Sequence, residues 1–331
     1  MKHVAIFLWL MVAGLLIVFG GCTKEGPGEP GSGPSNDKDA ISQMVQSDSL
    51  GEFSTSDENE IDDRGPASDD FGLAKEATAI RPLRWGRKIE NITRDIDVQI
   101  IGDSVAIATL TKHISGSLVI AASYQDTGHY ADTILAKPFR ERVQRKIRFH
   151  RVARTRLYER NWVPVAMTLV EGNIEPESVN LFTINSIEYT FPWGKDTITD
   201  PLNTWLRFSR IISGLPVLRV RDSVQLILHV TSTDADTEHA FLRYVAVDPR
   251  RLSPFPVLGV RRLRMKLVES TWNGSAYDRT YEATFYGELG SLLSIGRFHA
   301  VVDVMSHGSL FDDAKPFSNR YWGLPYIVVW R

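Results

Sequence analysis

Cysteine is nearly absent from this chain, whose 331 residues include a single one. No disulfide can form within the chain, and a thiolate metal cluster would have too few ligands. An excess of one charge is also absent, because 38 basic residues stand against 40 acidic ones. A uniformly basic surface is therefore excluded, and nucleic acid is not expected as a partner. The hydrophobic fraction of 43% excludes wholesale disorder.

Motifs of common catalytic sites are lacking as well. The chain has no Gly-x-Ser-x-Gly motif, which presents a nucleophilic serine on a sharp turn, and no Ser-x-x-Lys motif placed on a helix. The stretch Gly287-Glu288-Leu289-Gly290 lacks the lysine and the spacing of a phosphate-binding loop. We therefore expect no cofactor. The sequence favours a non-catalytic protein but leaves the question of enzymatic activity open.

Only one long hydrophobic run is present, at the N-terminus. Residues 4–19 carry no charge. As a helix, about 16 residues span roughly 24 Å, which is short of the roughly 20 residues that cross a bilayer. A run of this length is typical of a signal peptide, and we assign residues 1–21 to one.

The end of this run, Phe19-Gly20-Gly21-Cys22, resembles a bacterial lipobox, although leucine is more usual at the position of Phe19. The resemblance implies that the Cys22 thiol receives diacylglycerol and that Cys22 becomes the new N-terminus after cleavage. Two or three acyl chains would hold the protein on the lipid bilayer permanently. Because Thr23 rather than aspartate follows Cys22, the resemblance also implies sorting to the outer membrane of the cell envelope. The alternative is an uncleaved anchor with an incidental cysteine.

A tether and a helix are predicted to follow. Residues 22–36 form the predicted tether, because residues 23–36 contain four glycines and three prolines without apolar periodicity. Asn36 is a suitable N-cap for the helix after it. A second short helix is predicted over residues 73–80.

Residues 37–172 have the pattern of an α+β domain, with helices first and an antiparallel sheet after them. The alternation has a period of two, and turns are predicted at Gly102-Asp103 and near Gly116. The segments DVQIIGDSVAIATLTKHISGSLVI and NWVPVAMTLVEG resemble the NTF2-like (SnoaL-like) superfamily. The resemblance implies a curved antiparallel sheet covered by short helices, which together form a cone. No catalytic signature of that superfamily transfers to this sequence.

Residues 176–331 show only strand signals. Roughly seven strands are separated by proline and glycine turns, such as Phe191-Pro192-Trp193-Gly194 and Gly323-Leu324-Pro325. This spacing predicts an immunoglobulin-like β-sandwich, without the disulfide of antibody domains. The predicted fold class is therefore an α+β NTF2-like domain followed by an all-β immunoglobulin-like sandwich.

The most unusual stretch is residues 137–160, which carries ten lysines and arginines. These cations are suited to bind an acidic polymer or an acidic envelope protein. One alternative is the solvated face of a strand pair, with Ile147 and Phe149 pointing inward. Another is pairing with the acidic residues of the region 48–70. The candidate polyanion-binding residues are Arg140, Arg142, Arg145, Lys146, Arg148, Arg151, Arg154 and Arg156.

Two groups of residues have metal-binding chemistry, but neither predicts a site. His299, Asp303 and His307 would stack on a helix. The β-branched residues around them favour a strand instead, where ligands four residues apart are separated by about 13 Å. The acidic loop 234–238 lacks the glycine and the distal glutamate of an EF-hand. No metal is therefore expected.

Together these observations predict a membrane-anchored cell-envelope lipoprotein with a non-catalytic binding or assembly role. One alternative is a small-molecule enzyme, with Asp95 and Asp97 as acid and base inside the cone of the first domain. Another alternative is binding of envelope carbohydrate by the β-sandwich, for which an exposed row of aromatic side chains on one sheet would be the signature. The ligand, the partner and the oligomeric state are not indicated by the sequence.

Overall fold

Antiparallel β-structure makes up most of the protein in the computed structural model. The structure describes residues 36–47, 65–66, 80–125, 130–207, 216–247, 258–288 and 295–330. In these ranges there are two α-helices, α1 (Asp37–Ser47) and α2 (His307–Phe311). The strands are β1 (Gly65–Pro66), β2 (Arg81–Ile101), β3 (Val105–Ser123), β4 (Thr133–Arg151), β5 (Trp162–Thr168), β6 (Val170–Ile174), β7 (Phe182–Phe191), β8 (Gly194–Ile198), β9 (Trp205–Arg207), β10 (Val217–Arg219), β11 (Ser223–Ser232), β12 (His239–Val247), β13 (Leu258–Arg264), β14 (Lys266–Trp272), β15 (Tyr277–Tyr286), β16 (Ile295–Met305) and β17 (Asn319–Val329).

The three longest strands follow from the alternating sequence. β2 has 21 residues, and β3 and β4 have 19 each. In β3 the even-numbered residues from Ala106 to Ala122 are buried, while the odd-numbered residues are half-buried. Gly102, with a φ of 59°, adopts the left-handed conformation in the turn between β2 and β3. The predicted turn at Gly102-Asp103 is confirmed.

Gly116 lies inside β3 and does not form the turn that its sequence predicts. A Cβ atom at this position would lie 2.2 Å from the carbonyl oxygen of Lys88. The register of β2 shifts between Ile89 and Asn91, where a bulge brings the two backbones together. The glycine therefore permits a close approach of neighbouring strands, and β3 runs unbroken from Val105 to Ser123.

Twelve strands form one sheet, whose main path is β1-β2-β3-β4-β6-β17-β16-β12-β13. β10 pairs in parallel with β17, and β5 pairs with β4 and β9. The sheet is so strongly curved that β2 contacts β12 and β13, which are far from it in the strand order. The centre of the Trp85 ring in β2 lies 5.2 Å from the centre of the Phe241 ring in β12. The guanidinium of Arg262 in β13 lies 3.6 Å from the centre of the same Trp85 ring. One face of the first sheet therefore lies inside the curl.

Five strands form a second, antiparallel sheet in the order β14-β15-β11-β7-β8. This sheet packs against β12, β16 and β17 of the first sheet. The shared core contains Leu226 and Leu228 from β11 together with Val302, Val304 and Trp322 from the other layer. Inward-facing residues of both sheets alternate with outward-facing ones, as in a β-sandwich. A sandwich of two sheets is therefore present in the C-terminal part of the chain.

The predicted fold class is nevertheless wrong. The chain is mostly β-structure and does not form an α+β NTF2-like domain followed by a separate immunoglobulin-like domain. β6 pairs with β4 on one side and with β17 on the other, so the same sheet contains strands from both halves of the sequence. Residues 36–331 form one compact unit. The alternating pattern identified strands, but it does not specify which strands become neighbours.

The first predicted helix is confirmed. The side-chain oxygen of Asn36 accepts a hydrogen bond of 3.0 Å from the backbone N–H of Asp39, which caps α1. Ile41 and Val45 pack against Trp162 and the distal parts of β2, β3 and β4. The second predicted helix, except for Ile80, lies outside the described residues. Neither α1 nor α2, the helices of the described ranges, is long and apolar enough to cross a membrane.

Candidate ligand-binding pocket

An apolar pocket opens between the two sheets of the sandwich. Its empty volume, including the open mouth, is about 490 Å³. Both layers contribute to it, because the alternation within each strand turns apolar side chains toward the space between the sheets. Its lining includes Phe191, Ile198, Leu206, Leu218, Val224, Phe285, Ala300 and Leu324.

Two of the three polar side chains in the lining have hydrogen-bond partners, and the hydroxyl of the third, Tyr326, is buried without one among the described residues. The Tyr189 hydroxyl donates to the carboxylate of Asp196 at 3.1 Å. The Thr204 hydroxyl donates to the backbone carbonyl of Asp200 at 2.7 Å. The pocket therefore offers contact with hydrocarbon and little direct polar recognition.

Acid–base chemistry is not supported by this lining at neutral pH. Among the described lining residues, the ionisable side chains are those of Tyr189 and Tyr326. Burial raises the pKa of both hydroxyl groups well above the usual value for tyrosine, and Asp196 raises that of Tyr189 further. Both side chains remain neutral under physiological conditions. The geometry is that of a binding pocket rather than a proton-transfer site.

An aromatic and cationic rim lies beside the pocket. The Phe191 ring contacts Tyr189 on one side, at 5.6 Å, and Trp193 on the other, at 5.9 Å. The guanidinium of Arg219, which follows the lining residue Leu218, lies 6.0 Å from the Trp193 ring. The side chains of Trp193 and Arg219 are exposed. The rim thus places amphipathic groups next to an apolar interior.

Sequence reasoning did not find this pocket. Its walls come from strands that are separated by more than a hundred residues, such as β7 and β17. The one local signal was the turn Phe191-Pro192-Trp193-Gly194, which lies at the rim. A turn alone predicts a chain reversal and not the space beneath it.

The candidate polyanion-binding residues are distributed over two faces of the first sheet. Arg145 is buried on the same face of β4 as Ile147 and Phe149, whereas Arg140 and Lys146 lie on the opposite face. The interpretation of this segment as a strand with Ile147 and Phe149 inward therefore agrees with the structure. The eight cations do not form one continuous patch, and their binding of a polyanion stays a prediction.

Several of these cations have partners in the fold. Three of them form ion pairs: Arg142 with Glu177, Arg151 with Asp37 at 2.6 Å, and Arg154 with Asp103 at 3.1 Å. The guanidinium of Arg148 lies 4.2 Å from the centre of the Trp205 ring. Arg156 is exposed. The acidic region 48–70 lies outside the described residues, apart from the backbone of β1. Pairing between the acidic region 48–70 and the basic segment 137–160 therefore stays an alternative that the described residues do not test. Cys22 lies outside the described residues as well.

Charged side chains are buried on the inner face of the curled sheet, which the sequence analysis did not predict. The guanidinium of Arg87 donates to both carboxylate oxygens of Glu141, at 2.7 and 2.9 Å. Asp303 lies beside them, 3.9 Å from Arg243 and 3.4 Å from the side-chain nitrogen of Asn319. Burial lowers the pKa of Arg87, but Glu141 and Asp303 outweigh this effect and raise it overall. We interpret the group as a structural ion-pair network.

Lys137 holds the short helix α2 in place. Its ammonium group donates to the backbone carbonyls of Gly308, at 2.8 Å, of Ser309, at 2.9 Å, and of Asp312. Burial lowers the pKa of Lys137 to about 8, although Asp312 and Asp313 oppose the shift. The group is still largely protonated at neutral pH and can make all three hydrogen bonds.

The residues considered as metal ligands are separated by the fold. His299 and Asp303 lie in β16, as the strand interpretation predicts, whereas His307 lies in α2. The His307 ring faces His239, with 3.2 Å between their nearest nitrogens. Burial lowers the pKa of His239, and the neighbouring Arg264 lowers it further. Within the described ranges, no group of three or more His, Cys, Asp or Glu side chains is arranged to hold a metal ion.

The acidic loop 234–238 surrounds a cation that belongs to the protein. The guanidinium of Arg279 donates to the backbone carbonyls of Asp234 and Asp236, both at 3.1 Å, and to the buried carboxylate of Glu238. The Ala235 carbonyl accepts a further bond of 3.0 Å. Arg279 therefore stands where a bound metal ion would need to be.

No protein-family model, curated protein or solved structure matches this chain. The pocket is accordingly interpreted from its own chemistry.

Proposed function

We propose that this protein is a lipid-anchored cell-envelope protein that binds an apolar ligand, without catalysis, in the pocket between its two sheets. The observation that carries the proposal is the pocket itself, whose walls are apolar apart from the side chains of Tyr189, Thr204 and Tyr326. Binding at such a site is favourable because it removes the hydrocarbon surface of the ligand from water. The anchor at Cys22 is the lipobox hypothesis, and it would place the pocket at a membrane.

The enzyme alternative has little support in the described structure. Asp95 and Asp97 lie on an exposed face of β2, so they do not line an enclosed cavity. Asp95 is 3.4 Å from His113, which also approaches Glu175 at 3.4 Å. The Asp95 carboxylate is open to solvent, so this group lacks the enclosed, water-excluding setting that the enzyme alternative requires.

The carbohydrate alternative predicts a row of exposed aromatic side chains along one sheet. Trp193 and Tyr286 lie at one end of the second sheet and Trp272 at the other, so these residues do not form a row. The arrangement favours contact at an end of the sandwich over binding along a sheet face.

Filling part of the pocket should weaken ligand binding. Leu206 is half-buried in the pocket wall, and Leu206→Trp adds bulk to the lining that a ligand would contact. We expect the variant to bind the uncharged fluorescent probe N-phenyl-1-naphthylamine at least about tenfold more weakly, a change of about 1.4 kcal/mol. Fluorescence titration of the purified full chain measures this.

The matched control for this titration is Leu267→Trp, which adds the same side chain at an exposed position of β14. It should bind the probe like the original protein, and thermal denaturation should show that both variants are folded. Equal affinity of a folded Leu206→Trp variant and of the control would contradict the assignment of the pocket.

The anchor makes a separate prediction. If Cys22 is acylated, a bacterial host that expresses the chain should incorporate labelled palmitate into it, and Cys22→Ser should abolish the label. Because this cysteine is the only one in the chain, no other thiol can account for labelling. Continued labelling of the Cys22→Ser variant would refute the lipobox hypothesis without affecting the pocket.

A further inference from the structure

Three large aromatic side chains are exposed at the end of the sandwich that carries the pocket. Trp193 lies in the turn between β7 and β8 and is 50% exposed. Tyr286 is the last residue of β15 and is 51% exposed, and Trp330 follows β17 and is 52% exposed. Such side chains are costly to leave in water, and a cluster of them marks a contact surface.

Arg219 connects these aromatic residues to one another. Its guanidinium lies near the Trp193 ring, and its backbone pairs with the residue that precedes Trp330. Gly287, directly after Tyr286, packs so closely that a Cβ atom there would lie 2.8 Å from the carbonyl oxygen of Arg219. The three aromatic residues therefore belong to one surface, which we call the aromatic end.

The pocket reaches this same end. Its lining residues Phe191, Leu218 and Phe285 are within two positions of Trp193, Arg219 and Tyr286 along their strands. A hydrocarbon chain that entered from the aromatic end would pass directly from the exposed aromatic side chains into the apolar interior.

The side chains of the aromatic end are those that suit the headgroup region of a bilayer. Tryptophan and tyrosine have an apolar body and one polar group, and they are enriched where hydrocarbon meets water. The guanidinium of arginine matches the geometry of a phosphate. Asp222, Glu288 and Asp196 lie near the same end, so an excess of positive charge is not the basis of this recognition.

We infer that the aromatic end contacts the surface of a phospholipid bilayer, and that the apolar ligand of the pocket is an acyl chain of a bilayer lipid. The inference rests on the proposed function and specifies the source of its ligand. The pocket receives the hydrocarbon, and the headgroup stays outside, beside Trp193 and Arg219. An acyl chain needs mainly apolar contacts, and the lining is apolar apart from Tyr189, Thr204 and Tyr326.

Quenching of tryptophan fluorescence tests the contact. The full chain is reconstituted on phosphatidylcholine vesicles in which part of the lipid carries bromine on the acyl chains, because bromine quenches only nearby indole rings. We expect Trp193→Phe and Trp330→Phe each to lower the quenched fraction of the emission. The control is Trp272→Phe, since Trp272 is 51% exposed but pairs with Tyr277, at the opposite end of β15 and roughly 30 Å away.

The source of the ligand is tested by displacement. Lysophosphatidylcholine, which has one acyl chain, should displace N-phenyl-1-naphthylamine from the original protein and have no specific effect on Leu206→Trp. If all three tryptophan variants lose the same quenched fraction, contact at the aromatic end is refuted. If the probe binds in the pocket but the lipid fails to displace it, the pocket stands and the acyl chain is refuted as its ligand.

Discussion

Replacing Arg279 by methionine is expected to destabilise the protein by about 3–5 kcal/mol, the usual cost of removing one partner of a buried ion pair. The guanidinium of Arg279 is buried, and it donates to the carboxylate of Glu238 and to three backbone carbonyls of the loop 234–238. Methionine fills much of the same volume but donates no hydrogen bond. It would leave the Glu238 carboxylate buried and unpaired. Urea unfolding followed by circular dichroism measures the loss.

A surface pair provides the control for this measurement. Lys195 pairs with Glu188 at the edge of the second sheet, where the lysine is exposed. Lys195→Met removes a cation from an ion pair in the same sheet, but water can solvate the carboxylate that remains. We expect no measurable change in the unfolding midpoint. Equal effects of Arg279→Met and Lys195→Met would show that the loop 234–238 does not depend on its internal cation.

Gly116→Ala is expected to destabilise the protein by at least about 2 kcal/mol, within the range of overpacked sites. The added methyl group would lie 2.2 Å from the backbone oxygen of Lys88, and a backbone atom cannot move aside as a flexible side chain can. β2 and β3 would have to separate at their bulge. Thermal denaturation measures the effect. Ser115→Ala, at the half-buried neighbouring position, is the control and should leave the melting temperature unchanged.

Local sequence patterns predicted local structure well where one face of an element is buried throughout. The alternation in β3 and the cap of Asn36 on α1 depend on residues a few positions apart, and both were predicted. The pattern failed where the strand itself is irregular. In β7 the buried residues are Phe182 and Ile184 before its irregularity and Ile187 after it, so the buried positions change from even to odd within one strand. A shift of register opposite His229/Val230 restores Ile187 to the core, and such a bulge has no signature in the alternation.

The burial of charged side chains in β4 was also not predictable from the local sequence. Glu141 and Arg145 alternate in phase with Val143 and Ile147, so the sequence already placed them on an apolar face. The density of charge in this segment nevertheless suggested a solvated surface. Their burial depends on the curl of the sheet, which encloses the inner face and brings Arg87, 54 residues away, to Glu141. A buried carboxylate needs a partner of opposite charge close in space, and here that partner is distant in the sequence.

Composition and local pattern are enough to show that the chain is folded, that it has one cysteine, where its first described helix begins and where most of its strands lie. These properties depend on composition and on neighbouring residues. The three-dimensional arrangement was needed to show that β4, β6 and β17 join the two halves in one sheet, and that an apolar pocket forms beside Trp193 and Arg219. The pairing of strands and the space between sheets depend on contacts between residues far apart in the chain, which periodicity within a single strand does not encode.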